Sequence, residues 1–139
     1  MIRNAFKYIK KIKTTGAISE SSKYVTKEIT HEINRNKPQL IVELGAGTGN
    51  ITEIILQKLH PDSTLYCFEI EPQFYAKLEK ITDKRFHLIK KSAADVTQYF
   101  EKSSVDVIIS GLPLSLFADI DRGSLVDGEG GHRVGCICF

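Results

Sequence analysis

Residues 41–52 read IVELGAGTGNIT, and this stretch constrains the fold more than any other. An apolar run enters it, a helical pattern leaves it, and Gly45, Gly47 and Gly49 lie between. Glycine adopts positive φ without steric cost and lets backbone approach a ligand closely. A strand turning on glycines into a helix presents the unpaired N–H groups of the helix start. In open α/β sheets, ligands bind at such a point, outside the carboxyl end of a strand. The chain is therefore expected to be α/β, with a ligand site at this turn.

The remaining periodicity agrees. Residues 39–44 (QLIVEL), 64–70 (TLYCFEI), 86–89 (FHLI) and 105–110 (VDVIIS) are short apolar runs of the kind that form buried strands. Between them lie helical patterns: Ile51, Ile54, Ile55 and Leu59; then Phe74, Leu78 and Ile81 after Pro72; then a short helix near residues 95–101. Strands alternating with helices predict parallel β-α-β units with helices on both faces of the sheet. Upstream, Ile2, Ala5, Phe6, Ile9 and Ile12 share one helical face, and Arg3, Lys7, Lys10 and Lys11 fall on the adjoining face. A second helix is predicted from Ser21 or Ser22 to about Asn34, with Val25, Ile29 and Ile33 facing inward. Three segments result: a basic amphipathic helix and cap helix (1–34), an α/β ligand-binding domain (35–122) and a glycine-rich tail (123–139). RVGCICF, near the end of the tail, is a possible edge strand.

The 139 residues are enough for one compact domain, and 42% apolar content suffices for a core. No apolar run approaches the roughly 20 residues of a membrane span. The N-terminus, MIRNAFKYIKKIK, is too broken by charge for a signal-peptide core. A cytoplasmic location is expected. Net charge is only +2, yet residues 1–13 hold Arg3, Lys7, Lys10, Lys11 and Lys13 with no acid among them. Cys67, inside a strand pattern, reads as a small core residue. Cys136 and Cys138, with His132 nearby, lack the usual zinc spacing and a fourth ligand, so no metal is expected.

The turn separates two ligand classes. Dinucleotide sites want G-x-G-x-x-G, but the third glycine position here is Asn50. The run is G-x-G-x-G instead, with Glu43 two residues before it. Some 20 residues on, the second strand ends in FEIEP, and a carboxylate there can accept hydrogen bonds from a pair of ribose hydroxyls. Glu69 suits that role, and Glu71 reads as a charge at a helix N-terminus.

This arrangement resembles motif I of class I S-adenosylmethionine-dependent methyltransferases. Over roughly residues 3–120 the chain looks most like bacterial phospholipid N-methyltransferases. The resemblance is carried by Gly16, Ala17, Ile18, Ser21 and Ser22, by VELGAGTGNIT and FEIEPQF, and by SGLPLSLF at 110–117. It implies a Rossmann-like, mostly parallel sheet with helices on both faces, ending before the family's C-terminal strands. The implied cofactor is S-adenosyl-L-methionine, held by Glu43, Gly45, Ala46, Gly47, Thr48, Gly49, Glu69, Ile70, Ser92 and Ala93. The implied reaction is in-line attack by the neutral amine of an ethanolamine headgroup, beside Ser110, Gly111, Leu112, Pro113 and Tyr24. The basic helix at residues 2–13 would then lie on an anionic membrane surface, placing the protein on the inner membrane face. Two departures stand out: Lys91-Ser92-Ala93 replaces the family's G-D-A, and no match continues past about residue 120. Asp95 is expected to cap the following helix.

Ribosomal RNA adenine dimethyltransferases are a related group and the alternative reading. They carry N-[LI]-P-[YF], where this chain has Gly111, Leu112, Pro113 and Leu114. The Asn and the aromatic that would hold a flipped adenine are missing, so nucleic acid is the less expected partner. A third reading is a chain that binds cofactor or membrane without catalysis.

Overall fold

The computed structural model describes Lys27 and residues 31–101, 104–112 and 135–138. The predicted amphipathic helix at 2–12, Tyr24 and Pro113 lie outside these residues. The elements are β1 (Leu40–Leu44), α1 (Asn50–Lys58), β2 (Thr64–Phe68), a 3-10 turn (Pro72–Phe74) running into α2 (Tyr75–Leu78), β3 (Phe86–Ile89), a 3-10 helix (Ala93–Gln98), β4 (Val107–Ser110) and β5 (Gly135–Cys138). They build one sheet of order β3-β2-β1-β4-β5, and every adjacent pair is parallel. The α/β expectation holds, and the tail supplies an edge strand at residues 135–138.

β1 lies at the centre of the sheet, which explains its nearly unbroken apolar sequence: a parallel strand buried on both faces has no solvent side. Alternation still sorts its side chains. Ile41 joins Leu65, Cys67, Val107 and Ile109 in the cluster covered by Ile51, Ile55, Leu56 and Leu59 from α1 and the residue after it. Val42 and Leu44 face the other way, with Phe68, Val96, Val105 and Ile108. Ahead of β1, Lys27, His31 and Glu32 are helical, and Ile33 enters the α1-side core. The start of β1 is fixed from β4's side, where the Leu40 N–H donates to Asp106 Oδ2 at 2.7 Å.

Two helices differ from expectation. The segment after Pro72 is a 3-10 turn plus one short α-helical stretch, not a helix to residue 81. Ile81 still packs on the core, but the chain has already turned toward Asp83. That carboxylate accepts from the Arg85 N–H at 2.9 Å and from the Arg85 guanidinium at 2.9 and 2.6 Å. The helix expected near 95–101 is 3-10 and starts earlier, at Ala93. Its cap is Ser92, whose Oγ accepts from the Ala94 N–H at 3.2 Å. Asp95 is not the cap: it falls in the first turn, where its carboxylate accepts from Gln98 Nε2 at 3.4 Å.

Arg85 closes the far end of α1. Its guanidinium donates to the Leu56 carbonyl at 2.8 Å and the Leu59 carbonyl at 3.1 Å, oxygens that a helix C-terminus leaves unpaired. Hydrogen bonding to Arg85 lowers the Asp83 pKa to about 2. A carboxyl depressed in the folded state adds stability above its unfolded pKa of about 4, and that stability is lost as pH falls toward 2. Arg85→Met should lower urea-unfolding stability by about 1–2 kcal/mol at neutral pH. Asp83→Asn should abolish the part of the stability loss that wild type shows between about pH 4 and pH 2.

Candidate cofactor site at the glycine turn

The site is assembled from the carboxyl ends of β1, β2 and β4. At the end of β1 the chain takes positive φ three times, at Gly45 (77°), Gly47 (56°) and Gly49 (82°). An L-residue in that left-handed region costs roughly 1–2 kcal/mol, so the glycines are required by geometry. Gly49 is the N-cap residue of α1, which has no side-chain cap, and its N–H donates to the Ala46 carbonyl at 3.0 Å. The turn is pinned to β2 by the Phe68 carbonyl, which accepts from the Gly45 N–H at 2.8 Å and the Ala46 N–H at 3.4 Å.

Glu69 lies immediately after β2 and is 5% exposed. Its Oε2 accepts from the Gly47 N–H at 2.7 Å and its Oε1 from the Glu71 N–H at 2.8 Å. A carboxylate has about four acceptor positions, so each oxygen keeps capacity for one more donor. Glu71 stands at the N-cap of the 3-10 turn, and its side chain makes no capping bond there. Ile70 is 58% exposed, and its carbonyl accepts from the Tyr75 hydroxyl at 3.0 Å.

Glu43 lies beneath the turn and is 1% exposed. Its Oε2 accepts from the Thr52 hydroxyl at 2.6 Å and from the Cys67 thiol at 3.0 Å. The sequence alone reveals neither donor as a partner of Glu43. The available signal was Thr52 itself, a polar residue at a core-facing position beside Ile51 and Ile55. Burial, and next the Glu43 charge, push the Cys67 pKa well up, so the thiol stays protonated and donates.

The end of β4 closes the third side. The Gly111 N–H donates to the Leu44 carbonyl at 2.8 Å. The Ser110 hydroxyl oxygen, fully buried, accepts from the Leu112 N–H at 3.2 Å. A Cβ on Gly45 would lie 2.7 Å from Leu112 Cδ2, and a Cβ on Gly111 would lie 2.9 Å from the Gly45 carbonyl oxygen. The two glycines thus let backbone meet backbone.

The structure brings Glu43, Gly45, Ala46, Gly47, Thr48, Gly49 and Glu69 into one turn, with Ser110, Gly111 and Leu112 against it. Ser92 and Ala93 sit past the end of β3, where Ser92 caps the 3-10 helix. Among the described residues, no cluster of His, Cys, Asp and Glu is arranged to hold a metal.

A methyltransferase domain profile matches residues 42–124, more than half of the chain. The chain belongs to the S-adenosylmethionine-dependent methyltransferases. Among curated methyltransferases, an ornithine lipid N-methyltransferase of Singulisphaera acidiphila is 29% identical over 116 residues, covering 80% of this chain and 60% of that protein. A ribosomal RNA small subunit methyltransferase A of a Sulfurihydrogenibium species is 41% identical over 80 residues, covering 56% of this chain and 30% of that protein. The chain therefore spans less than two thirds of these methyltransferases. A solved S-adenosylmethionine-dependent O-methyltransferase of Thermotoga maritima superposes with TM-score 0.65 at 16% identity, over 96% of this chain and 49% of its own. A ribosomal RNA methylase of Streptococcus thermophilus gives 0.60 at 15%, over 88% and 72%. At such identities the two structures speak for the fold. The cofactor of this methyltransferase fold is S-adenosylmethionine.

Gly45→Ala should destabilise the domain by at least about 1–2 kcal/mol from the left-handed backbone alone, with a further loss from the Leu112 contact. Adding Leu112→Ala should recover only that further loss, which a double-mutant cycle of urea midpoints measures.

Proposed function

We propose that the chain transfers methyl groups from S-adenosylmethionine to the amine of a phosphatidylethanolamine-type phospholipid. The observation that carries this reading is the close seat of Gly111 on the Gly45 carbonyl. Position 111 is where the resembling adenine methyltransferases have Asn. A side chain there would force backbone apart, so the amide that would grip a base edge has no place in this site. Support also comes from the ornithine lipid N-methyltransferase, aligned over 80% of this chain.

The residues present fit the cofactor. Three positive-φ glycines shape the turn at the carboxyl edge of the sheet, where a ligand would meet backbone; at Gly45 and Gly49 the missing side chains also make room for Leu112 and Leu78. Glu69 retains acceptor capacity on both oxygens for two ribose hydroxyls. Glu43 places a carboxyl group beneath the turn, near where a cationic methionine moiety would sit, and Ile70 offers an exposed apolar surface beside Glu69. When bound, S-adenosylmethionine supplies a methyl group activated by its sulfonium. The protein's contribution is positioning: the segment Ser110–Leu112 is tied to β1 through Gly111 and holds the acceptor amine beside the cradle. The amine must arrive neutral, and with a pKa of roughly 10 it loses its proton to water or a nearby base. We further propose that residues 2–13 place the enzyme on the inner membrane face, each Lys or Arg adding about 1 kcal/mol at an anionic surface.

The 41% identity to a ribosomal RNA methyltransferase favours a second reading, methylation of RNA adenine. The two are separated by supplying methyl-labelled S-adenosylmethionine with phosphatidylethanolamine vesicles or with ribosomal RNA. Label should enter the lipid, more so when anionic lipid is added; label in RNA alone refutes the lipid reading. Glu69→Gln should weaken S-adenosylmethionine binding at least tenfold by calorimetry, because an NH2 in place of one carboxylate oxygen cannot accept from a backbone N–H or a ribose hydroxyl.

A further inference from the structure

Glu43 and Glu69 are both buried carboxylates at the glycine turn, but their surroundings differ. Glu69 is held by backbone N–H groups. Two side-chain donors from different elements hold Glu43, and they converge on a single oxygen, Oε2. Thr52 lies in the first turn of α1, three residues after Gly49, and Cys67 is the register neighbour of Glu43 across the β1–β2 pair. Thr52 and Cys67 have no measurable exposure.

We propose that Cys67 and Thr52 are positioning residues for the cofactor cradle, acting through Glu43; this rests on the reading of the turn as an S-adenosylmethionine site. The carboxylate ties β1 to β2 on one side and to the first turn of α1 on the other. The Gly45–Gly49 segment lies between those attachment points, so fixing both ends fixes the path of its backbone. The parallel register places residue 67 beside residue 43, and β-strand alternation turns both toward α1. A donor at 67 holds the carboxylate from the β2 side as Thr52 holds it from α1, and losing either hydrogen bond to this buried group is costly. An apolar residue there would fill the space without fixing the carboxylate.

Packing and hydrogen bonding rank the substitutions in opposite order. Cys67→Ala keeps an apolar side chain and removes the donor; Cys67→Ser keeps a donor and makes the site more polar. The full chain and its variants are titrated with S-adenosylmethionine by calorimetry, with thermal unfolding recorded for each. Cys67→Ala should weaken binding about fivefold to tenfold, and Cys67→Ser should stay within about twofold of wild type. Thr52→Val should weaken binding about tenfold and Thr52→Ser about twofold at most. The Thr52 pair decides if Cys67→Ala does not fold. Alanine binding as tightly as wild type, or serine losing as much as alanine, overturns the proposal while leaving the cofactor reading intact. Folded wild type that takes up no S-adenosylmethionine overturns both.

Discussion

The hydrogen bond from the Gly47 N–H to the Glu69 carboxylate, 2.7 Å long, joins strand ends 22 residues apart. Much else depends on it. It requires Gly47 to sit at φ 56°, which turns that N–H away from the helix and toward β2. It requires β2 to stop at Phe68, so that the Phe68 carbonyl meets the turn and the next side chain reaches across it. A charged acceptor makes the bond about twice as strong as a neutral one, and near-complete burial protects it from water. One carboxylate thus joins the glycine turn to the residues that follow β2.

β4 contributes by approaching without side chains. Gly111 and Gly45 pack backbone to backbone, and Leu112 leans over Gly45. The end of β4 is thereby referenced to the glycine turn through main-chain atoms, which shift less than rotamers. Beneath the turn, Glu43, Thr52 and Cys67 form a second, wholly internal tie. The turn is gripped above by Glu69 and below by Glu43.

Local signals are legible in the sequence, and signals that depend on pairing are not. The glycine turn was legible because its three glycines and its flanking periods lie within twelve residues. The strands were legible because a parallel sheet buried on both faces makes apolar runs. Glu69 stood out as a carboxylate at a strand end. The partners of Glu43 were not legible, because the Cys67 contact spans 24 residues and exists only in one register. Apolar spacing after Pro72 continues to Ile81, but the helix ends at Leu78 and tight turn bonds from the Lys80 and Ile81 N–H groups, invisible to periodicity, follow it. Asp95 has the residue type of a cap, yet Ser92 provides the cap, since cap identity depends on where the helix begins. RVGCICF has the composition of an edge strand, and the backbone of residues 135–138 takes that place.

The strand order has a consequence for how such a chain acquires its shape. β1 is central, yet its neighbour β4 is some 66 residues away along the chain, as the Leu40 to Asp106 bond measures. During synthesis β1 emerges well before β4 and waits, half-covered, for that flank. Long-range pairing of this kind is slow and leaves apolar edges open to wrong partners, so this protein should lean on chaperone protection more than a helical bundle of equal length.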